Sequence, residues 1–167
     1  DLSTFHPKKR VARKKNVYVC TSRLAIEKNL DAFLSLKLDG EKWMIGSGPE
    51  EKRLREKYPD VKFFGNKSHE EIAKIYQECD YFVFPSKTDT FGLVLLEAMA
   101  CGLPVAAYNV SGPKDVIGKS KAGILREDLA EAVRGLESLS ASTAIKHAKK
   151  FSWEKASENF FSYLHIG

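Results

Sequence analysis

The sequence has few cysteines and no long hydrophobic run. Its 167 residues include only three cysteines, Cys20, Cys79 and Cys101, which are far apart and form no C-x-x-C pair. Each lies in an apolar stretch, so we expect buried, reduced thiols and neither disulfides nor metal ligands. No run of 18 apolar residues and no signal-peptide pattern occurs, which predicts a soluble, cytoplasmic chain. With 43% hydrophobic residues, a chain of this length suits one well-packed domain.

Several nucleotide and metal motifs are also absent. No G-x-x-x-x-G-K-[ST] phosphate loop occurs, and Gly46-Ser47-Gly48 lacks the third glycine of a G-x-G-x-x-G site. There is no H-E-x-x-H, no paired Cys/His spacing and no D-x-D pair, so we predict no metal and no organic cofactor. A phosphate ligand would then need cationic side chains and helix dipoles.

The net charge of +5 is concentrated at the start of the chain. Residues 1–15 contain six basic side chains and one acidic side chain, while basic and acidic residues balance in the remainder. A nucleic-acid-binding domain would spread its cations over a folded face, so we predict no nucleic-acid partner. We interpret residues 1–15 as a solvated linker, with contact to an anionic membrane surface as the alternative.

Short apolar runs alternate with helical patterns along the chain. This alternation predicts a single α/β domain with a parallel sheet of about six strands and helices on both faces. In such sheets, ligands bind beyond the carboxyl ends of the strands, where the strand order reverses. The predicted strands are 17–21, 42–45, 61–64, 81–84, 105–108 and 123–125; the predicted helices are 29–38, a charged helix ending at 58, 69–78, 91–101, 128–139, 141–151 and 153–165.

The most informative segment, residues 85–105, places two carboxylates around a predicted helix start. Asp89 precedes the helix, and Glu97 lies within its otherwise apolar sequence. The free N–H groups at the helix start suit a phosphate, and the carboxylates could accept hydrogen bonds from ligand hydroxyls. Asp89 or Thr90 could instead cap the helix, and Glu97 could be an exposed helical residue. However, a carboxylate buried without a partner is costly, which favours a ligand.

Other candidate ligand-binding residues follow the first three strands. Arg23 and Lys28 come after the first strand and could neutralise a diphosphate, although ordinary surface charge is the simpler interpretation of the pair alone. Gly46, Gly48 and Gly65 follow the second and third strands and would permit close approach of the backbone to a ligand, or form ordinary turns.

Together these residues resemble the C-terminal, donor-binding half of a retaining glycosyltransferase of family 4, which has the GT-B fold of two Rossmann-like domains. The resemblance covers essentially the whole chain. Four landmarks carry it in the family's order: Arg23-x4-Lys28, Gly46-x-Gly48-Pro49, Phe64-Gly65, and Asp89-x7-Glu97 followed by Ala98-Met99-Ala100-x-Gly102-x-Pro104-Val105. The last corresponds to the family's E-x7-E motif, with Asp89 in place of the first glutamate. Ser22 also stands where many members have glycine.

The resemblance implies a role for each matched residue. Arg23 and Lys28 would hold the donor diphosphate, and Asp89 would accept hydroxyls of the transferred sugar; these three form the predicted catalytic set. Glu97 would bind the ribose hydroxyls. The remaining predicted donor-binding residues are the glycines Gly46 and Gly48, the base-facing loop of Phe64, Gly65 and Asn66, and the helix start formed by Thr90, Phe91, Gly92, Leu93 and Val94.

The resemblance also implies a larger protein and a donor. We expect transfer of a hexose from a nucleotide sugar to a lipid or glycan acceptor, with GDP-mannose the favoured donor and a UDP-sugar the alternative. The expected partner is an N-terminal, acceptor-binding domain of the same polypeptide, and the longer protein could contact a membrane peripherally. Residues 1–15 would be the interdomain linker, 16–151 the Rossmann-like domain and 152–167 a helix crossing to the other domain. The rival functions are a sugar-nucleotide 2-epimerase, a phosphorylase and a non-catalytic binding module.

Overall fold

The fold is built on six parallel strands, all short and mostly apolar. The computed structural model describes residues 2–89 and 92–164, apart from the side chains of 155, 156 and 159–164. The strands are β1 (Asn16–Thr21), β2 (Gly40–Ile45), β3 (Lys62–Phe63), β4 (Tyr81–Phe84), β5 (Val105–Tyr108) and β6 (Gly123–Arg126). Their order in the sheet is β3-β2-β1-β4-β5-β6, so the order reverses between β1 and β4. The predicted α/β class with a six-stranded parallel sheet is confirmed.

Seven helices cover the two faces of this sheet. They are α1 (Asp31–Leu34), α2 (Glu51–Lys57), α3 (His69–Tyr76), α4 (Leu93–Ala100), α5 (Pro113–Ile117), α6 (Leu129–Arg134) and α7 (Ala141–Leu164). Because side chains alternate along a strand, Val17 and Val19 of β1 enter one core, with α3, α4, α5 and α7. Tyr18 and Cys20 enter the other core, with α1, α2 and α6. All three cysteines are buried and free, as expected.

Most predicted helices have different bounds in the structure; the predicted helix 128–139, for example, is α6 followed by a separate 3-10 turn (Leu136–Ser138). The predicted helix 29–38 is reduced to a 3-10 turn (Ile26–Lys28) and the four-residue α1. Asn29 separates them because it adopts a left-handed conformation, with φ of 56°. The two predicted C-terminal helices form the single 24-residue α7, since no proline or glycine interrupts them. The five-residue α5 was not predicted.

The N-terminal segment is attached to the domain at several points. Phe5 is buried in the core, with its ring centroid 6.0 Å from that of Tyr76. Arg10 donates hydrogen bonds to Asp80 Oδ1 (3.0 Å) and to the Gly102 carbonyl (2.9 Å). Phe5 and Arg10 therefore attach this segment to the domain, and it is not a fully solvated tail; the domain boundary at residue 15 stays a prediction.

The last helix exposes a large aromatic side chain. Trp153 of α7 is 75% exposed. The spacing of Trp153, Ala156, Phe160 and Leu164 predicts an apolar stripe along this helix. Apart from Trp153, the side chains of this stripe and those of Phe161 and Tyr163 lie outside the described residues. Within the described part of the chain, no helix is both long and apolar enough to cross a bilayer.

Candidate functional site

The loops that follow β1, β2 and β3 are joined by backbone hydrogen bonds. Ser22 N–H donates to the Ile45 carbonyl (3.0 Å), Leu24 N–H to the Ser47 carbonyl (2.9 Å) and Gly46 N–H to the Gly65 carbonyl (2.8 Å). A Cβ at residue 46 would lie 1.9 Å from the Ser22 carbonyl oxygen, and the φ of Gly46 is +133°. Glycine is therefore required at position 46, because the backbone there lies against the loop that contains Ser22. The observed close contact of Gly46 is with this neighbouring loop, whereas the sequence predicted close contact with a ligand.

A cleft of about 540 Å³ opens beside these loops, at the carboxyl ends of the strands. Of the predicted site residues, Arg23, Gly46, Gly48, Asn66 and Val94 line it. The remaining lining residues are Thr21, Ser22, Ile45, Ser47, Lys67 and Ile72. The sequence-based prediction thus placed residues from β1, β2 and α4 in one cleft, as the rule for doubly wound sheets requires.

Lys67 is a second cation of the cleft that was not predicted. It follows Asn66 on the loop between β3 and α3, while Arg23 enters the cleft from the loop after β1. The same positional signal that selected Arg23, a cation a few residues after a strand, could have selected Lys67. Arg23 forms an exposed ion pair with Glu27 (3.6 Å), which contributes little energy and leaves the guanidinium accessible to a ligand.

Helix α4 begins beside the cleft after Gly92, which has no side chain to cap the helix. A Cβ at residue 92 would lie 2.0 Å from Val116 Cγ2, so this glycine allows α5 to pack against the start of α4. By contrast, Ser68 and Glu71 form a capping box at the start of α3. Val94 lines the cleft and Leu93 is exposed. Thr90 and Phe91 were also predicted here, but they lie outside the described residues.

Glu97 is the half-buried carboxylate of α4. It follows Val94 by three residues, which places both on the same side of the helix, while its neighbours Leu96 and Ala98 are buried. Burial raises the pKa of the Glu97 carboxyl, and the charge of nearby His69 offsets part of this effect. Among the described residues, Glu97 makes no hydrogen bond or ion pair, so its carboxylate is available to an external donor.

Lys28 and Asp89, predicted to contact neighbouring parts of one donor, lie against each other. Lys28 Nζ is 2.5 Å from Asp89 Oδ1, and the two side chains are 22% and 29% exposed. Asn29 supports this contact, because its side chain donates to the Pro85 carbonyl (3.0 Å) on the loop that leads to Asp89. The structure therefore brings a cation and a carboxylate together from sequence positions 61 residues apart.

The side chain of Phe64 lies away from the 540 Å³ cleft. Its ring packs 5.2 Å from that of Trp43, and both line a separate groove of about 690 Å³. The Phe64 backbone N–H donates to the Met44 carbonyl (2.9 Å), which extends the pairing of β2 and β3 by one residue. Because residues alternate sides along a strand, Phe64 lies on the same side of the sheet as Trp43. The residues of this loop that line the 540 Å³ cleft are Asn66 and Lys67.

The strand order and the position of the cationic cleft define a doubly wound α/β domain with a cleft at its switch point, where ligands bind in sheets of this type. A family model described as glycosyl transferases group 1 matches residues 2–155. The chain belongs to this family.

Two relatives differ in their named activities. The chain is 37% identical over 136 residues to a GDP-mannose-dependent alpha-mannosyltransferase of Corynebacterium glutamicum, a match that covers 75% of this chain and 33% of that protein. It is 34% identical over 115 residues to sulfoquinovosyl transferase SQD2 of Arabidopsis thaliana, covering 66% and 22%. The chain thus spans a third or less of these relatives.

Solved structures share the fold. Sucrose-phosphate synthase from Thermosynechococcus elongatus superposes with a TM-score of 0.79 at 22% identity, over 100% of this chain and 51% of that chain. Anabaena Alr3699/HepE in complex with UDP gives 0.69 at 19% identity, over 97% and 55%. The match to one half of these chains confirms the expected GT-B type of domain.

Proposed function

We propose that this chain is the sugar-nucleotide-binding domain of a retaining, metal-independent α-glycosyltransferase that uses GDP-mannose. The observation that carries the proposal is the cleft at the reversal of the strand order, which is lined by Arg23 from the loop after β1 and by Lys67 from the loop after β3. Two cations and the N–H groups at the start of α4 suit a diphosphate. The family membership and the named activity of the Corynebacterium relative support the reaction class and the donor.

The arrangement of charges suggests how the donor would be held. Arg23, Lys67 and Lys28 would neutralise the diphosphate and stabilise it as a leaving group when the sugar–phosphate bond breaks. Asp89, held beside Lys28, would accept hydrogen bonds from hydroxyls of the transferred hexose. Glu97 would accept hydrogen bonds from the ribose, which would relieve the cost of its half-buried charge.

The acceptor would be bound by an N-terminal domain of the same polypeptide. Catalysis requires a second wall to position a lipid or glycan acceptor and to exclude water. The partial coverage of the relatives and the exposed Trp153 on α7 are consistent with such a partner. We therefore expect the isolated 167-residue chain to bind the donor weakly and to transfer no sugar. In the longer protein, Lys9, Lys14 and Lys15 would be free to contact an anionic membrane surface.

Calorimetric titration of the chain with GDP, UDP and ADP, and with their sugars, tests the proposal. We expect GDP and GDP-mannose to bind most tightly and Glu97→Ala to weaken both. Asp89→Glu should change the preference among GDP-sugars but leave GDP affinity within about twofold, since only the reach to the sugar changes. Glu56→Ala, at an exposed position of α2, is the matched control for Glu97.

The absence of any nucleotide binding at millimolar concentration, with Glu97→Ala without effect, would overturn the proposal. Sugar transfer by the isolated chain would contradict the need for a second domain.

A further inference from the structure

Thr21 places a hydroxyl on the mainly apolar part of the cleft wall. It is the last residue of β1, on the same side of the strand as Val17 and Val19. Its neighbours in the cleft include Ile72 of α3 and Val94 of α4, and its side chain is half-buried. A hydroxyl at such a position requires hydrogen-bond partners.

Tyr76 supplies one of these partners from inside the core. Its side chain is fully buried, and its hydroxyl donates to Thr21 Oγ1 at 2.7 Å. Phe82 packs edge-on against the Tyr76 ring at 5.8 Å, and Phe5 lies at 6.0 Å on another side, so the ring is fixed. Burial raises the pKa of Tyr76 well above its usual value, which keeps the phenol protonated and able to donate.

This hydrogen bond restricts the direction of the Thr21 hydroxyl hydrogen. Because Tyr76 donates, it occupies an acceptor site on Thr21 Oγ1, and the Thr21 hydrogen must point elsewhere. Among the described residues, no acceptor for that hydrogen is present. The open side of Thr21 is the cleft, which Arg23, Asn66 and Lys67 also line.

We propose that Thr21 donates a hydrogen bond to an oxygen of the ribose–diphosphate part of the bound nucleotide, and that Tyr76 is the positioning residue that orients this hydroxyl. The inference rests on the proposed function, because it requires a nucleotide in this cleft. Thr21 would thus add an uncharged hydrogen-bond donor to the charged residues already assigned. Tyr76 would be a core residue that acts on the ligand through Thr21.

The test is a set of calorimetric titrations with the nucleoside diphosphate that wild type binds most tightly. Thr21→Val, which preserves shape, should weaken binding about tenfold, the loss of one hydrogen bond to a ligand. Thr21→Ser should remain within about twofold of wild type. Tyr76→Phe should weaken binding about two- to fivefold, and the double variant should bind no more weakly than Thr21→Val alone, because both changes remove the same oriented donor.

Thr143→Val, which removes a hydroxyl outside the cleft on α7, is the matched control, and the thermal midpoint of each variant verifies folding. Binding by Thr21→Val within twofold of wild type would overturn the inference but leave the proposed function intact. Additive losses from Thr21→Val and Tyr76→Phe would overturn the positioning role of Tyr76. A wild-type chain that binds no nucleotide would instead overturn the proposed function.

Discussion

Replacing Glu97 by glutamine is expected to stabilise the ligand-free chain and to weaken its binding of nucleotides. The carboxylate is half-buried on an apolar helix and has no hydrogen-bond partner among the described residues. An unpaired polar group costs about 1–3 kcal/mol when fully buried, and partial burial reduces this to about 1 kcal/mol. Glutamine has nearly the same shape and no charge. For a chain of this length, the gain corresponds to an increase in Tm of about 2–4 °C.

The stability gained by Glu97→Gln should increase with pH. Because the folded-state pKa of Glu97 is raised, the folded chain retains this proton more strongly than the unfolded chain. Wild-type stability therefore falls as pH rises from the ordinary carboxyl pKa through the raised one. The stability difference between Glu97→Gln and wild type should be near zero below pH 4 and reach its full value above the raised pKa.

Thermal unfolding of both chains between pH 4 and 8, with and without nucleotide, measures these differences. Without nucleotide, Glu97→Gln should unfold at the higher temperature at pH 7. Saturating nucleotide should raise the Tm of wild type more than that of the variant, since ligand stabilisation follows affinity. Glu56→Gln, at an exposed position of α2, should leave Tm within 1 °C, as surface changes usually do. The reasoning is refuted if Glu97→Gln lowers Tm at pH 7, or if its effect does not vary with pH.

Three further predictions concern the neighbouring loops and helices. Asp89→Asn should increase affinity for a free nucleoside diphosphate up to about fivefold, because Lys28 loses a competing partner worth up to about 1 kcal/mol; calorimetry showing weaker binding would contradict this. Gly46→Ala should cost about 2 kcal/mol or more in unfolding free energy, because its Cβ would meet the Ser22 carbonyl; a Tm equal to that of wild type would contradict the close packing. Asp31→Asn should cost about 1 kcal/mol at pH 7, after allowance for solvent screening. Hydrogen bonds from Arg53 above all, then Tyr58 and Lys57, depress the pKa of Asp31, so this contribution should decline as pH falls from the usual carboxyl pKa towards the depressed one; a difference in urea unfolding as large at pH 2 as at pH 7 would contradict it.

The strands were predicted more accurately than the short helices. Continuous apolar runs in residues 81–84 and 105–108 identified β4 and β5 with the same bounds as in the structure, because buried parallel strands are apolar on both sides. The five-residue α5 is too short to show helical periodicity, and its position depends on contact between Val116 and Gly92. The continuity of α7 was missed because the pattern does not show whether a serine at 152 ends a helix.

The site was predicted in outline but not in its internal contacts. The position of Arg23 after a strand was sufficient to place it at the carboxyl edge of the sheet, where it lies. The contact between Lys28 and Asp89 depends on how two distant loops fold against each other. The turning of Phe64 towards Trp43 depends on where the pairing of β3 begins, and a shift of one residue would have pointed it to the opposite side.

The two tryptophans differ in their exposure to solvent, so the intrinsic fluorescence of the chain can report on its surface. Trp43 is 6% exposed, and Lys62 Nζ lies 4.7 Å from the centre of its ring. Trp153, at 75% exposure, should emit at long wavelength, as indole does in water. Any partner that covers α7 would shift that emission to the blue and shield it from iodide quenching, while the signal of Trp43 would stay constant. Docking of a second domain can therefore be followed in solution without a label.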